Sequence, residues 1–203
     1  MKGYYFITDA GQSRAGNASD VKNALKAHVE VVQYRDKSKS TKELYQEALA
    51  LRKICKDALF LINDRLDIAL SVKADGVHLG WEDLPYAVAR KLIGDKKIIG
   101  LTVHTLQQAI QSQRSGAQYI GVSPIFKTNT KQDAGPPVGV RLIKEIRRHV
   151  SLPVIAIGGI DLSNAKDVID SGADGLCAIS AVVAENDVKK EIEKFQRLFR
   201  QKT

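Results

Sequence analysis

The sequence predicts an α/β protein, a single closed (β/α)8 TIM barrel over residues 1–203. Short β-branched or aromatic runs alternate with longer amphipathic runs eight times along the chain. The first strand candidate ends in Thr8-Asp9 and carries no G-x-G-x-x-G turn, the feature expected of an open doubly wound sheet. The length of 203 residues lies near the lower end of the barrel range, with no linker and no shift of composition to mark a second domain.

Each element has a local reason. The strand candidates are 4–8, 30–35, 59–63, 76–79, 98–102, 119–122, 154–157 and 175–179, four to six residues each and rich in Val, Ile, Leu and Tyr. Helical patterns follow them at roughly 19–27, 40–56, 66–73, 84–93, 105–115, 139–150, 162–171 and 187–201. Ser40 with Glu43 three residues on has capping-box spacing, and Leu44, Ala48, Leu51 and Ile54 fall on one face behind it. Three segments, KADGVHLG, SGAQYIGVS and SGADGLCAIS, share one pattern of helix end, small residues and apolar strand. Gly116 and Gly172 fit left-handed helix caps in that pattern.

Composition narrows the function. Hydrophobic residues are 44% and charged residues 27%, which argues for a packed globular chain and against disorder. No apolar run approaches the 18 or so residues of a membrane span, and the opening MKGYYFITDAG does not read as a signal peptide. Cys55 and Cys177 form no CxxC and read as two reduced, buried thiols of a cytoplasmic protein. The net charge of +8 suits anionic partners: nucleic acid, an anionic surface or phosphorylated small molecules. Arg141, Lys144, Arg147, Arg148, Lys190, Lys194 and Arg197 stand at helical spacing and read as solvated helix faces. No basic stretch is interleaved with aromatics, so single-strand stacking is poorly supported.

In such barrels the chemistry sits where strands end. Gln33, Arg35 and Lys37 alternate with Tyr34 and Asp36, so a period of two sets the first three on one face, with Val32 and Tyr34 toward the helices. They form either ion pairs with Asp64 or Glu30, or, with Lys131, a cradle for an anion such as pyrophosphate. Asp64 and Asp83 end adjacent strands. They are either a cap and an ion pair, with Arg65 beside Asp64 and Leu84-Pro85 after Asp83, or the oxygen ligands of Mg²⁺; the basic cradle favours the metal. Gly158-Gly159 serves a tight turn or a phosphate, as does Ile179-Ser180 where the last strand could open a short helix. The loop after the sixth strand adds the hydroxyls of Thr128 and Thr130. His104 past the fifth strand is structural or a proton shuttle. Trp81 is a lid over the mouth or a packed loop residue.

These stretches in this order resemble the thiamine phosphate synthase family: QYRDK at 33–37, NDR at 63–65, DGVHLGWEDLP at 75–85, PIFKTNTK at 124–131, IAIGGI at 155–160 and GADGLCAIS at 172–180. The resemblance implies a (β/α)8 transferase. It joins hydroxymethylpyrimidine pyrophosphate to thiazole phosphate and releases thiamine phosphate and pyrophosphate, by a Mg²⁺-assisted dissociative substitution. It further implies that Gln33, Tyr34, Arg35, Asp36, Lys37, Asn63, Thr102 and Lys131 hold the pyrimidine substrate. Asp64 and Asp83 match the Mg²⁺ ligands. Thr128, Asn129, Thr130, Gly159, Ile179 and Ser180 match the thiazole phosphate side. Arg35, Lys37 and Lys131 are the implied catalytic cations. Thr102 stands where Ser is common, Ser123 where Gly is usual, and Trp81 where Gln is common.

Two other readings compete. The thiazole tautomerases share the barrel, NDR and a His after strand five, but look depleted in the second carboxylate and in the Thr-x-Thr-Lys set. Asp83 and 128–131 therefore favour the synthase. A non-catalytic phosphate-binding barrel fits the charge, but two positioned carboxylates would repel a nucleic-acid backbone. The expected protein is a cytoplasmic enzyme of small molecules, without nucleic-acid or membrane partners and compatible with a homo-oligomer.

Overall fold

The structure, a computed structural model, describes residues 1–128, 130 and 135–201. Its strands are β1 (Gly3–Tyr4), β2 (Phe6–Ile7), β3 (Val31–Tyr34), β4 (Leu59–Asn63), β5 (Gly76–Leu79), β6 (Ile98–Val103), β7 (Tyr119–Val122), β8 (Val154–Ile157) and β9 (Gly175–Cys177). All pair in parallel, in the order β1-β9-β8-β7-β6-β5-β4-β3-β2. The two ends of that order are the halves of one sequence strand, because Tyr5 lies between β1 and β2. β1 faces β9 at Gly3 opposite Gly175, and β2 faces β3 at Phe6 opposite Val32. Tyr5 N donates to Leu176 O at 2.8 Å, so the ring is stitched closed on both sides of the split. The predicted barrel is present, with its first strand divided where it changes neighbours.

Alternation along the strands makes two apolar layers. Tyr4 and Phe6 face the helices, whereas Tyr5 and Ile7 point inward with Val31, Leu61, Tyr119, Ile155 and Cys177. The inner layer plugs the lower barrel and leaves the C-terminal strand ends open above it. Gly100 makes the plug possible: a Cβ there would overlap the Tyr119 ring, which opposes it in register.

The helices are α1 (Asn17–Lys26), α2 (Thr41–Ile54), α3 (Leu66–Ser71), α4 (Tyr86–Ile93), α5 (Leu106–Ser115), α6 (Gly139–Ile146), α7 (Ala165–Asp170), α8 (Ser180–Val183) and α9 (Val188–Arg200). The capping box at Ser40 and Glu43 is formed, and Gly116 takes the left-handed conformation at the end of α5. α8 is the short helix expected after the last strand. α9 covers the split first strand, its Phe195 ring 5.5 Å from that of Tyr4.

α6 ends at Ile146 rather than 150, and Arg147 is no solvated residue. Its guanidinium donates to Gly172 O at 2.6 Å and Leu152 O at 2.9 Å and pairs with Asp174. Among the described residues no helix is long and apolar enough to cross a membrane.

Candidate active site

A cavity of about 630 Å³ opens at the C-terminal strand ends. Gln33, Arg35, Lys37, Asn63, Asp64 and Asp83 line it on one side, Thr102 and His104 stand at the end of β6, and Thr128, Thr130, Gly159, Ile179 and Ser180 lie along the remainder. Two members of the 33–37 stretch do not line it. Tyr34 is buried toward the helices and its hydroxyl donates to Glu47 Oε2 at 2.6 Å. Asp36 turns away to accept from Ser38 N at 2.9 Å and pairs with Lys39 at 3.1 Å. The period of two that sends Gln33, Arg35 and Lys37 inward sends these two outward, so they brace the cavity wall. Asn129 and Lys131 lie outside the described residues.

Lys37 Nζ stands 2.7 Å from Asp64 Oδ2, the ion pair that the sequence offered as one alternative. Glu30 has no part in it and accepts from the N-terminal backbone. Arg35 pairs with Asp9 at 3.2 Å, a partner absent from the sequence reading. Its backbone N–H also donates to Thr8 Oγ1 at 2.9 Å, which fixes the strand exit that aims the guanidinium. Arg65 pairs with Asp67 at 2.6 Å, so it does not hold Asp64.

Asp64 has a φ of 58°, in the left-handed region. For a non-glycine residue this costs on the order of 1–3 kcal/mol and gathers at functional sites. A hydrogen bond from Asp64 N to His78 O at 2.8 Å holds it there. Asp83 does not cap α4; it accepts from Gly80 N at 2.6 Å. The two carboxyls are in contact. Burial pushes that of Asp64 up, but Asp83 and Lys37 outweigh it and hold it below its ordinary value. Burial first, and then the Asp64 charge, raise Asp83. Each carboxyl thus shifts the other, the signature of negative charge gathered closer than water alone supports. Two hard oxygen groups in contact beside a cavity with room for waters and phosphate oxygens fit Mg²⁺, which takes few protein ligands.

The opposite wall is built from backbone. Gly158 and Gly159 have φ of 100° and 64°. A Cβ on either would strike Pro124 or the Phe126–Lys127 backbone, so both glycines are needed for the loops after β7 and β8 to touch. Ile125 N to Ile157 O at 2.9 Å and Phe126 N to Gly158 O at 3.0 Å join the loops. Thr130 N donates to Thr128 Oγ1 at 3.2 Å. His104 Nδ1 lies against the Ser123 carbonyl, so that nitrogen carries a proton and donates, leaving Nε2 for the cavity. Trp81 is half-exposed on the rim rather than packed.

Below the cavity floor runs a buried polar chain that sequence reasoning missed. Gln33 Nε2 donates to the Tyr5 hydroxyl at 2.8 Å, and Tyr5 and Tyr119 hydroxyls meet at 2.7 Å. Tyr119 reaches His78 Nδ1 at 2.7 Å, and His78 Nε2 reaches Thr102 Oγ1 at 2.9 Å. Burial above all raises both tyrosines, so their hydroxyls keep their protons. A buried hydroxyl left unpaired costs about 1–3 kcal/mol, so the chain persists only if each proton finds an acceptor. The signal was legible: Tyr5 alternates with outward Tyr4 and Phe6, and an inward Tyr demands a polar partner.

The family model described as thiamine monophosphate synthase matches residues 4–182. A thiamine-phosphate synthase of Methanosarcina mazei is 51% identical over 199 residues, 98% of this chain and 83% of the relative. One of Chloroflexus aurantiacus is 47% identical over 197 residues, 96% of this chain and 91% of the relative. Among solved structures, a thiamine phosphate pyrophosphorylase from Pyrococcus furiosus superposes with a TM-score of 0.90 at 37% identity, covering 98% of this chain and 96% of that one.

Proposed function

We infer the chemistry of this cavity from one premise: the chain belongs to the thiamine monophosphate synthase family. It is a transferase that joins hydroxymethylpyrimidine pyrophosphate to thiazole phosphate, giving thiamine phosphate and pyrophosphate. The observation that carries the reading is the two-sided cavity, with cations and carboxylates on one wall and closely packed backbone and hydroxyls on the other.

In the division of labour proposed here, Gln33, Asn63 and Thr102 orient the pyrimidine. Arg35, Lys37 and Lys131 face its pyrophosphate. Asp64 and Asp83 would hold Mg²⁺, which when bound would supply positive charge to the leaving pyrophosphate. The bond between the methylene carbon and the pyrophosphate oxygen breaks, and its electron pair leaves with the oxygen. Arg35 and Lys37 stabilise that developing charge, and the amino-pyrimidine delocalises the positive charge left on the methylene. The thiazole nitrogen then gives its lone pair to the methylene carbon. Thr128, Asn129, Thr130, Gly159, Ile179 and Ser180 hold the thiazole by its phosphate, and fixing two reactants in line is worth about 7–11 kcal/mol of barrier. No base is needed, because the attacking nitrogen bears no proton. The two thiols suit a reducing cytoplasm: burial pushes Cys55 up to about 12 and Cys177 higher still.

Incubating the pure protein with both substrates and Mg²⁺ tests the reaction: thiamine phosphate and pyrophosphate should form in equal amounts. His104→Asn should retain activity within about tenfold, because the reaction asks no imidazole to move a proton; an acid–base role would cost about 10²–10⁴-fold. Loss of that size, together with isomerisation of carboxythiazole phosphate by the unaltered protein, would make the chain a tautomerase that uses His104 Nε2. Ser180→Ala or Thr130→Ala should mainly raise the KM for thiazole phosphate and leave kcat nearly unchanged, as loss of uniform binding does. A fall in kcat at unchanged KM would move those residues out of the phosphate site.

A further inference from the structure

We infer that Tyr5, Tyr119 and His78 are positioning residues that fix the direction of the Thr102 hydroxyl, so that Thr102 meets the substrate as a hydrogen-bond donor and Gln33 meets it as an acceptor. The inference rests on the pyrimidine site proposed above and adds residues that lie beneath it.

The direction follows from counting protons along the chain. Gln33 spends an amide N–H on Tyr5, whose oxygen therefore accepts. The Tyr5 proton then goes to the Tyr119 oxygen, 2.7 Å away. The Tyr119 proton in turn goes to His78 Nδ1, which must be bare to receive it. His78 accordingly carries its proton on Nε2 and donates it to Thr102 Oγ1. With that oxygen accepting from beneath, the Thr102 proton is directed to the cavity, which Thr102 lines. Reversal would make His78 Nδ1 the donor to Tyr119 and Tyr119 the donor to Tyr5. The Tyr5 oxygen would then accept twice, from Gln33 and Tyr119, and its own proton would have no place in the chain.

The parts are held tightly enough to keep this order. Gln33 is 1% exposed and His78 4%, and the His78 and Tyr119 rings lie 5.4 Å apart. Gly100 and Gly121 supply the space, since a Cβ on the first would overlap Tyr119 and one on the second would crowd the His78 ring. At the two ends the cavity is offered one donor, the Thr102 O–H, and one acceptor, the Gln33 amide oxygen. An amino-pyrimidine has the complement: a ring nitrogen to accept and an exocyclic amino group to donate. A ring bearing a carbonyl where the amino group stands would face acceptor with acceptor, so the chain would select the amino form.

The test is ¹⁵N NMR of the full chain labelled at histidine, with the His78 signals assigned by their loss from a His78→Gln variant. The expected spectrum has His78 protonated on Nε2 and bare on Nδ1; a proton on Nδ1 with a bare Nε2 overturns the inference. This readout needs no turnover, so it stands even if the chain does not make thiamine phosphate. Tyr119→Phe keeps the ring and removes the hydroxyl that gives Nδ1 its proton donor. It should release the fixed tautomer and lower kcat/KM for the pyrimidine pyrophosphate about tenfold, the scale of one hydrogen bond, with the KM for thiazole phosphate unmoved. Equal losses for both substrates, or none for either, would reduce the chain to packing. If Tyr119→Phe fails to fold, Tyr5→Phe decides. It leaves Tyr119 its acceptor in His78, so the Nε2 proton should stay, and its loss would refute the order given.

Discussion

Asp64→Asn and Asp83→Asn should each lower kcat by about 10²–10³-fold, the scale of one preorganised electrostatic contact at a leaving group, while the barrel stays folded. Asn is the informative replacement. It keeps the shape of the side chain and tolerates the φ of 58° at residue 64, which Ala would occupy only with added strain. It removes the charge for which the carboxyl pair is built. Asp83 is raised by burial and by Asp64, so Asp83→Asn should be no less stable than the parent; Asp64 is held below its ordinary value, so Asp64→Asn should give up a small part of the stability. Lys37 loses its partner in Asp64→Asn, but its side chain is more than half exposed and water takes up that cost. Two measurements check this: turnover across a Mg²⁺ titration, and Mg²⁺ binding with pyrophosphate present, read by calorimetry. Wild-type turnover in excess chelator, or unchanged Mg²⁺ binding in the double variant, would remove the metal from this pair.

The barrel was legible because its strands are nearly all local signals. The predicted spans 59–63, 76–79, 119–122 and 154–157 coincide with β4, β5, β7 and β8, each bounded by small or polar residues. The departures have tertiary causes. The first strand divides at Tyr5 because its two halves pair with strands from opposite ends of the chain. β9 stops at Cys177, two residues early, as the chain turns to open α8 at Ser180. α6 stops early where Arg147 leaves the helical surface to join Asp174 and the Gly172 carbonyl. Helical spacing alone marks such an arginine as solvated.

In the site, the inward set Gln33, Arg35 and Lys37 follows from the period of two, and the same period places Tyr34 and Asp36 behind the wall. The buried chain under Thr102 was within reach of that rule, since Tyr5 and Tyr119 occupy inward positions. Its partners were not, because the contacts from Gln33 to Tyr5 and from Tyr119 to His78 join residues 28 and 41 positions apart across a closed ring. Asp9 was hidden for the same reason: its meeting with Arg35 exists only once β2 lies beside β3.

That pair makes Arg35 the second large effect. Arg35→Gln should lower kcat/KM for the pyrimidine pyrophosphate by about 10²–10³-fold, because a neutral amide neither balances the leaving charge nor offers a bidentate fork. The single variant has a second consequence. It leaves Asp9, whose side chain is 11% exposed, without its cation. A mostly buried polar group deprived of its partner costs about 1–3 kcal/mol, more when charged, so the melting temperature should fall by several degrees. A loss of activity in Arg35→Gln alone therefore has two candidate causes. Adding Asp9→Asn separates them: the neutral pair can hydrogen-bond, so the stability should return to within about 1 kcal/mol of the parent and the melting temperature should recover with it. Activity should stay down, since no positive charge has been restored to the cavity. If Asp9→Asn brings turnover back with stability, the guanidinium serves to neutralise Asp9 and the pyrophosphate must be met by Lys37 and Lys131 alone.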